Sequence, residues 1–274
     1  MNVARARSFL FVPGNRPERF AKACEAGADA VIVDLEDAVP PADKLAARDA
    51  LAAWLSPAHP VLVRINSADS EWFRGDLAVC GLPGVAGIVL PKAERTQDLA
   101  EVAAAGAPAI LPLIESGQGL WNGIELARAP GVQRLLFGAI DFSFDVGISE
   151  GYEQLLHARS QLVLMSRVAG IGAPVDGVTV ALDDPERVNE DSGRARALGF
   201  GGKLCIHPKQ VALVNAAFAP SAAELAWAAR VMAAASSTGA AVAVDGRMVD
   251  RPVILIAQKM LDDAARHAGL EGTR

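Results

Sequence analysis

Residues 8–37, SFLFVPGNRPERFAKACEAGADAVIVDLED, contain two short apolar runs with a helix-like segment between them. The first run covers Ser8 to Pro13 and the second covers Ala30 to Asp37. Between them, Asn15 and Glu18 have the spacing of a helix capping box. This order of strand, helix and strand is typical of a parallel βαβ unit.

Six further apolar runs follow along the chain, separated mostly by Ala-rich segments of helical character. They are continuous rather than alternating, as expected of parallel strands that are buried on both faces. Eight such units in succession predict an α/β fold, a closed (β/α)₈ barrel of the TIM type. No GxGxxG follows the first run, which argues against a Rossmann fold. The six runs are Val61 to Asn66, Gly87 to Lys92, Ala109 to Glu115, Arg134 to Phe142, Ala173 to Val178 and Gly201 to Pro208.

The pattern changes near residue 220. Ser221 and Glu224 form a second capping-box signature, Asp245-Gly246 predicts a hairpin turn, and a last helix follows the turn. We therefore divide the chain into a barrel domain, residues 1–219, and a C-terminal lid or arm with helices and a hairpin, residues 220–274.

Composition narrows the class of partner and the compartment. The formal net charge of −6 argues against nucleic acid, because binding to a phosphate backbone requires an excess of clustered Lys and Arg. The three cysteines show no CxxC spacing, so neither a disulfide framework nor a zinc site is expected. The apolar run at the N-terminus is too short for a signal peptide or a membrane span. These features predict a cytoplasmic protein with no membrane partner.

Polar residues close most of the eight runs, at the end where a barrel enzyme carries its active site. Independent structural charges have no reason to recur at one end of successive strands, so their joint position predicts a single site. The residues are Asp34, Glu36, Asp37, Arg64, Asn66, Lys92, Glu115, Asp141, Asp176 and His207.

Two of these carboxylates, Glu115 and Asp141, belong to consecutive runs and have no His or Cys beside them. Such a pair suits Mg²⁺, which typically takes one or two carboxylates and keeps positions for water and substrate oxygens. We predict that Glu115 and Asp141 are the metal ligands. Arg64 is predicted to hold a substrate carboxylate in a bidentate fork, with a structural ion pair to a strand carboxylate as the alternative.

Eight motifs in order along the chain match one family. They are SFLFVPGNRPERFAKA, VIVDLEDAVPPADK, VRIN, GIVLPKAE, LPLIESGQGL, FGAIDFSFDVG, GGKLCIHPKQV and DGRMVDRPV. With these motifs the chain resembles the citrate lyase β-subunit-like family of the HpcH/HpaI aldolase superfamily. The resemblance implies a Mg²⁺-dependent lyase that cleaves a short β-hydroxyacyl-CoA, of the citramalyl, malyl or citryl type, into a keto acid and acetyl-CoA.

The resemblance also implies roles for single residues. It implies that Glu115 and Asp141 bind Mg²⁺, in agreement with the pair chosen from the strand ends. It also implies that Arg64 binds the keto-acid part of the substrate. The group that takes the hydroxyl proton stays open, and Glu36 or Asp37 could assist or be only structural.

A CoA site is implied along the PGN segment and neighbouring loops. Arg16, Arg19 and Lys22 are candidate phosphate contacts there, and a solvated helix face is the alternative for all three. His207 is expected to shape the loop near the CoA adenine rather than to carry out acid/base chemistry.

Asp250 precedes the predicted last helix, which runs to about Ala268, and by itself it predicts a helix cap. In lyases of the malyl-CoA and citramalyl-CoA type, the matching aspartate reaches into a neighbouring subunit's active site as an acid/base. The resemblance therefore implies a homo-oligomer, a trimer or hexamer, and favours an acyl-CoA lyase that acts alone.

Two other functions remain open at this level. One is a 2-keto acid aldolase that works without CoA, and the other is a CoA-ester-binding subunit of a citrate lyase complex. Thioester dependence separates the first from the proposed lyase, and activity of the purified chain separates the second.

Overall fold

The computed structural model of the chain contains two compact units, Met1–Phe218 and Ala219–Arg274. In the first unit, strands and helices alternate along the chain. The second unit contains mainly two helices and a hairpin. The structure describes residues 2–149, 151–238 and 242–271, with side chains described for all of these except 236–238, 242 and 266–271.

The first unit is a closed barrel of eight parallel strands in sequential order. β8 returns to β1, with Leu204 opposite Phe9, and this pairing closes the barrel. The prediction of a TIM-type barrel is therefore confirmed. The strands are β1 (Ser8–Pro13), β2 (Ala30–Asp34), β3 (Val61–Arg64), β4 (Val85–Leu90), β5 (Ile110–Ile114), β6 (Leu136–Phe137), β7 (Val175–Asp176) and β8 (Gly202–Cys205).

Every strand of the barrel is followed by at least one helix before the next strand begins. Short 3₁₀ turns extend several of these connections. The helices are α1 (Phe20–Cys24), α2 (Lys44–Trp54), α3 (Phe73–Asp76), α4 (Thr96–Ala104), α5 (Gly117–Trp121), α6 (Gly123–Arg128), α7 (Ala139–Val146), α8 (Leu156–Ala169), α9 (Pro185–Leu198) and α10 (Pro208–Phe218).

The strands are buried on both faces because successive side chains point to opposite sides of a sheet. In β2, Ile32 belongs to one buried apolar cluster, whereas Val31 and Val33 belong to a second cluster that also includes helix residues such as Leu51. One cluster fills the barrel and the other lies between strands and helices. This arrangement explains why the runs read as continuous apolar stretches in the sequence.

The predicted capping box of the first helix is wrong. A 3₁₀ turn, Pro17–Arg19, leads directly into α1, and Asn15 makes no cap. The Asn15 side chain instead donates to Asp43 Oδ2 at 3.0 Å, at the start of α2. A contact with another element therefore replaces the local hydrogen bond that the spacing predicts.

The second unit consists of α11 (Ala222–Thr238), the antiparallel pair β9 (Val242–Val244) and β10 (Arg247–Val249), and α12 (Arg251–Glu271). The predicted hairpin turn at Asp245-Gly246 is present, since both residues have positive φ, 51° and 74°. Two reciprocal bonds form the predicted capping box. They are Ser221 N to Glu224 Oε2 at 2.7 Å and Glu224 N to Ser221 Oγ at 3.2 Å.

The stretch Pro208–Ala235 is long and apolar enough for a membrane span by length and composition alone. Ala219, Pro220 and Ser221 interrupt it, so it comprises two helices rather than one. A span of the hydrocarbon core takes about 20 consecutive helical residues. The two helices, with 11 and 17 residues, are each shorter than that.

Candidate active site

The C-terminal mouth of the barrel brings charged side chains from neighbouring strands together. Asp34 is the last residue of β2, Arg64 is the last residue of β3, and Glu115 follows β5 directly. All three are buried, with exposed fractions of 1%, 9% and 4%. Burial of three charged groups at one end of a barrel is costly unless they are paired or used, so this end is the candidate active site.

Arg64 is surrounded by carboxylates. Its Nε and Nη2 atoms donate to the two oxygens of Asp34 at 2.7 and 2.6 Å. Its Nη1 atom lies 2.9 Å from Glu36 Oε2 and 3.5 Å from Asp37 Oδ2. Burial lowers the pKa of Arg64, but the charges of Asp34 and the other two acids outweigh burial and raise it, so the guanidinium stays charged.

The fork of Arg64 is thus already occupied by Asp34, the structural pairing that the sequence left as an alternative. Its Nη1 atom is less fully used, because Glu36 Oε2 is close to it but receives no aligned hydrogen bond. Nη1 is therefore the part of the guanidinium that Asp34 leaves for a further contact, and it faces Glu36 and Asp37. Asp34 holds the guanidinium in place for such a contact.

Glu36 is buried, and its pKa is raised, first by burial and then by the nearby charges of Asp37 and Asp34. Arg64 and Lys92 act in the opposite direction, with Lys92 Nζ 3.4 Å from Glu36 Oε1. Asp37 differs from Glu36, since its side chain is 60% exposed.

Glu115 is fixed by backbone on two sides. Lys92 donates its backbone N–H to Glu115 Oε1 at 2.7 Å, from a left-handed conformation with φ 48°. Gly138 approaches so closely that a Cβ on it would lie 2.5 Å from Glu115 Oε2, so only glycine fits there. Burial, followed by the charge of Glu36, raises the pKa of Glu115 to about 8.

Asp141 does not end a strand, so that part of the prediction is wrong. The sixth run contains a strand of only two residues, Leu136–Phe137, after which the chain turns at Gly138 and enters α7. Asp141 is exposed in the first turn of α7, and its charge contributes to the raised pKa of Glu115. The two predicted metal ligands therefore lie close enough for their charges to interact, one just after a strand and the other at the start of a helix.

The chemistry of this pair fits a hard divalent cation. A buried carboxylate with a raised pKa has an uncompensated cost of ionisation, which a nearby cation removes. Within the described residues, no group of three or more His, Cys, Asp or Glu side chains is arranged as a metal site. Two carboxylates with further positions left to water and substrate match the usual coordination of Mg²⁺.

Lys44 was not predicted as part of the site. It is buried at the start of α2, and its Nζ atom donates to the carbonyls of Leu35 and Glu36 at 2.8 and 2.7 Å and to Asn66 Oδ1 at 2.6 Å. Lys44 thereby fixes the backbone that carries Glu36. The sequence could have predicted the burial of Lys44, because it has the i, i+3, i+7 spacing of one helix face with Ala47 and Leu51, which are buried.

The candidate CoA contacts Arg16, Arg19 and Lys22 are exposed in the turn and helix that follow β1. Glu18 lies among them, 2.6 Å from Arg16 Nε and 3.8 Å from Arg19 Nε, and its pKa is lowered first by the Arg16 hydrogen bond. Glu18 reduces the net positive charge of this face.

His207 lies between β8 and α10, and its Nδ1 atom accepts the backbone N–H of Lys209 at 3.1 Å. It therefore caps the first turn of α10, in keeping with a role in loop shape. Asp250, in the second unit, accepts the Val253 N–H at 3.4 Å and is a cap of α12, as its position predicted.

Comparisons with known proteins agree with the motif analysis. A model of the HpcH/HpaI aldolase/citrate lyase family matches residues 7–208. A citrate lyase subunit beta-like protein of Deinococcus radiodurans is 40% identical, over 96% of this chain and 98% of its own. A (3S)-malyl-CoA thioesterase of Cereibacter sphaeroides is 37% identical, over 94% of each chain. The resemblance drawn from the eight motifs is confirmed.

The fold comparison gives the same result. A crystal structure of CitE from Mycobacterium tuberculosis, in complex with magnesium, acetoacetate and coenzyme A, has a TM-score of 0.86 and 36% identity, and covers 96% of this chain and 100% of that one. A second structure of that protein, with magnesium and pyruvate, has a TM-score of 0.78 and 32% identity, over 95% and 100%.

Proposed function

Because this chain belongs to the HpcH/HpaI aldolase/citrate lyase family, a family of lyases, we propose that it is a Mg²⁺-dependent lyase of a short β-hydroxyacyl-CoA. The reaction would break the bond between the hydroxyl-bearing carbon and the thioester α-carbon, and would release a keto acid and acetyl-CoA. The observation that carries this proposal is Glu115, buried beside Glu36 and Asp141 with its pKa raised to about 8.

Glu115 and Asp141 would hold the metal ion. When bound, Mg²⁺ would supply Lewis-acid stabilisation of the negative charge on the hydroxyl oxygen that becomes the keto oxygen. Support comes from the relative from M. tuberculosis, whose structures contain magnesium together with acetoacetate or pyruvate. Glu115, whose pKa is raised to about 8, would hold the cation in its deprotonated form.

Arg64 would hold the carboxylate of the keto-acid part through Nη1. The ion pair with Asp34 fixes the plane of the guanidinium, so the remaining N–H groups point in a set direction. A planar donor with a fixed orientation selects a ligand by the geometry of its carboxylate as well as by its charge.

Glu36 is the stronger candidate for the base that takes the hydroxyl proton. Its raised pKa lies closer to the working pH than that of an ordinary carboxylate, which is what proton transfer requires. Asp37, which is largely exposed, would act on the charge balance of Arg64 instead.

The chain would work as a homo-oligomer, with a trimer or hexamer as the proposed state. Trp121 at the end of α5 and Phe144 in α7 are 84% and 89% exposed. Their helices contact each other, and exposed aromatic rings on adjacent helices are a surface that a second copy would cover. We also propose that Arg16, Arg19 and Lys22 contact CoA. The proposed location of the lyase is the cytoplasm.

Asp250 would supply the acid/base for the thioester α-carbon in a neighbouring subunit. Asp250→Asn keeps a helix cap, since asparagine caps about as well as aspartate. Activity should fall while the melting temperature stays the same. Co-expression of Asp250→Asn with Glu115→Gln chains should restore part of the activity. An inactive mixture would place Asp250 in its own subunit, and a fully active Asp250→Asn variant would restrict Asp250 to capping.

The central experiment combines the purified chain and Mg²⁺ with citramalyl-CoA, malyl-CoA and citryl-CoA. Release of pyruvate, glyoxylate or oxaloacetate identifies the acyl group. Carbon–carbon cleavage leaves the thioester intact, so no free thiol should appear. Absence of a keto acid with all three substrates would refute the lyase proposal.

A thioesterase is the second candidate, favoured by the similarity to (3S)-malyl-CoA thioesterases. Hydrolysis of malyl-CoA would release one free thiol per turnover and no keto acid. The same reaction mixture, assayed with a thiol reagent, therefore separates the two functions. An aldolase that needs no CoA would instead cleave a free hydroxy-keto acid.

A further inference from the structure

A cavity of about 280 Å³ opens beside the barrel mouth, near β7 and β8 and the first turns of α8 and α9. One water molecule accounts for about 30 Å³ of liquid, so there is room for a small organic acid. Within the described residues, neither Glu115 nor Asp141 lines this space. Its wall includes Ala139, Ile140, Tyr152, Arg159, Asp176 and Lys203.

The wall buries two cations against one carboxylate. Arg159 Nε donates to Asp176 Oδ1 at 2.8 Å, and Lys203 Nζ lies 3.4 Å from Asp176 Oδ2. All three residues are buried, with exposed fractions of 9%, 2% and 2%. One positive charge is thus left without a countercharge in the cluster. A buried charge is costly unless it is paired, so an anion in the cavity would stabilise the cluster.

The other charged residues of the wall do not change this balance. Arg187 Nε lies 3.1 Å from Asp191 Oδ1, and Thr179 Oγ1 donates to Asp191 Oδ2 at 2.8 Å. This pair is neutral as a unit. The excess positive charge therefore stays with Arg159 and Lys203.

Arg159 also has a donor that is not used. Its Nη1 atom is buried and has no hydrogen-bond partner among the described residues. The guanidinium carbon lies 5.4 Å from the centre of the Phe137 ring and 5.6 Å from that of Tyr152, so two aromatic rings restrict its orientation. Buried donors are nearly always satisfied, and a carboxylate is the acceptor that suits a guanidinium.

We propose that this cavity is a second ligand site, distinct from the metal centre, and that it binds a small carboxylate monoanion through Arg159 Nη1. Lys203 supplies the second positive charge, and the pair of Arg187 and Asp191 borders the cavity. The residues proposed to hold the metal ion and CoA do not line this cavity, although Ala139 and Ile140 of its wall directly precede Asp141. Its test can therefore fail or succeed independently of the proposed function.

Tyr152 provides a direct probe, because it is the only tyrosine of the chain. Full-length protein labelled with 3-fluorotyrosine should give one ¹⁹F resonance, which reports on the cavity. The labelled protein is titrated with acetate, with pyruvate and with inorganic phosphate in the presence of EDTA, so that the metal centre does not contribute. We expect a saturable shift with acetate or pyruvate, and a smaller effect of phosphate. No saturable shift with either carboxylate, or a larger one with phosphate, would overturn the proposal.

Arg159→Lys tests the residue, because lysine keeps a cation for Asp176 but has no second nitrogen at the Nη1 position. The dissociation constant should rise at least tenfold. Arg194→Lys is the matched control, since Arg194 also stacks on Tyr152, at 4.9 Å, but pairs with Glu190 and does not line the cavity. The affinity of this control should stay the same, and an equal loss in both variants would trace the signal to ring stacking and refute the site.

Ala181→Leu offers a second route if Arg159→Lys does not fold. Ala181 lines the cavity, and a leucine there would fill it without altering any charge. Carboxylate binding should weaken in this variant too. Unchanged affinity in Ala181→Leu would contradict the proposed location.

Discussion

Arg134 and Arg64 are two of the buried arginines, they lie at opposite ends of the barrel, and their surroundings are opposite in kind. Arg134, which precedes β6 at the base, donates to backbone carbonyls, among them Ala173 O and Ala6 O, both at 2.6 Å. No carboxylate pairs with it within the part of the chain that the structure describes. Arg64, at the mouth, instead faces Asp34 and two further acids.

The pKa values follow from this difference. Burial alone lowers the pKa of Arg134 to about 9, because carbonyl dipoles satisfy its donors without balancing its charge. Burial also lowers the pKa of Arg64, but the surrounding carboxylates reverse the effect. At the base, Arg134 joins separate chain segments through their backbone carbonyls. At the mouth, Arg64 and the neighbouring carboxylates lie side by side. Stability and function should therefore separate between the two ends.

The largest effect is expected at the mouth. Glu115→Gln should lower turnover at least 1000-fold, roughly the upper range for loss of one electrostatic group from an active site. Its melting temperature at pH 8 should not fall, because the change removes a buried charge that the fold disfavours. Steady-state rates and thermal unfolding measure the two quantities. A large loss of stability with normal turnover would make Glu115 structural.

At the base the expected effect is on stability. Arg134→Lys should lower the free energy of unfolding by about 3 kcal/mol, about 100-fold in the equilibrium constant, because one ammonium cannot reach carbonyls from separate segments. Turnover per folded molecule should stay within about twofold. Denaturant unfolding and active-site titration test this, and a selective loss of turnover would remove the contrast between the ends.

Arg64→Lys is the same substitution at the opposite end. Turnover should fall about 30-fold, because a planar fork with several donors is replaced by a point charge. The free energy of unfolding should change less than in Arg134→Lys, since the cation among the acids is retained. Near-normal kinetics in Arg64→Lys would limit its role to the pair with Asp34.

The smallest effect is a pH dependence of metal affinity. In the metal-free protein the pKa of Glu115 is about 8. Protons compete with the cation below that value, so the apparent Mg²⁺ affinity should rise about tenfold per pH unit from pH 6 to 8 and level off above. The sign for stability is opposite. Glu115 binds a proton more tightly when folded, so its contribution to stability is present at low pH and declines as pH rises from about 4.5 to 8.

Calorimetric titration with Mg²⁺ at several pH values tests the last prediction, and Glu115→Gln is its control. In that variant the residual affinity should no longer follow this profile. A flat profile in the unsubstituted protein would show that the carboxyl ionises normally.

Much of the site was predictable because strand ends in a parallel barrel meet at one edge. Asp34, Arg64 and Glu115 close buried runs, and the sequence alone places them together. Asp141 was placed near the correct region for a partly wrong reason, since the sixth run is a short strand followed by a helix. Periodicity does not mark where an apolar run changes from strand to helix, because both are buried there.

The sequence by itself determined the barrel, since continuous apolar runs and intervening helices are patterns of neighbouring residues. Only the tertiary structure decided which charges meet. Asp34 lies opposite Arg64 through the register of β2 and β3, although 30 residues separate them in the chain. Glu115 likewise accepts a backbone N–H from Lys92, on another strand's loop. Such contacts depend on register and loop conformation, which are set by packing of the whole barrel and not by any local pattern.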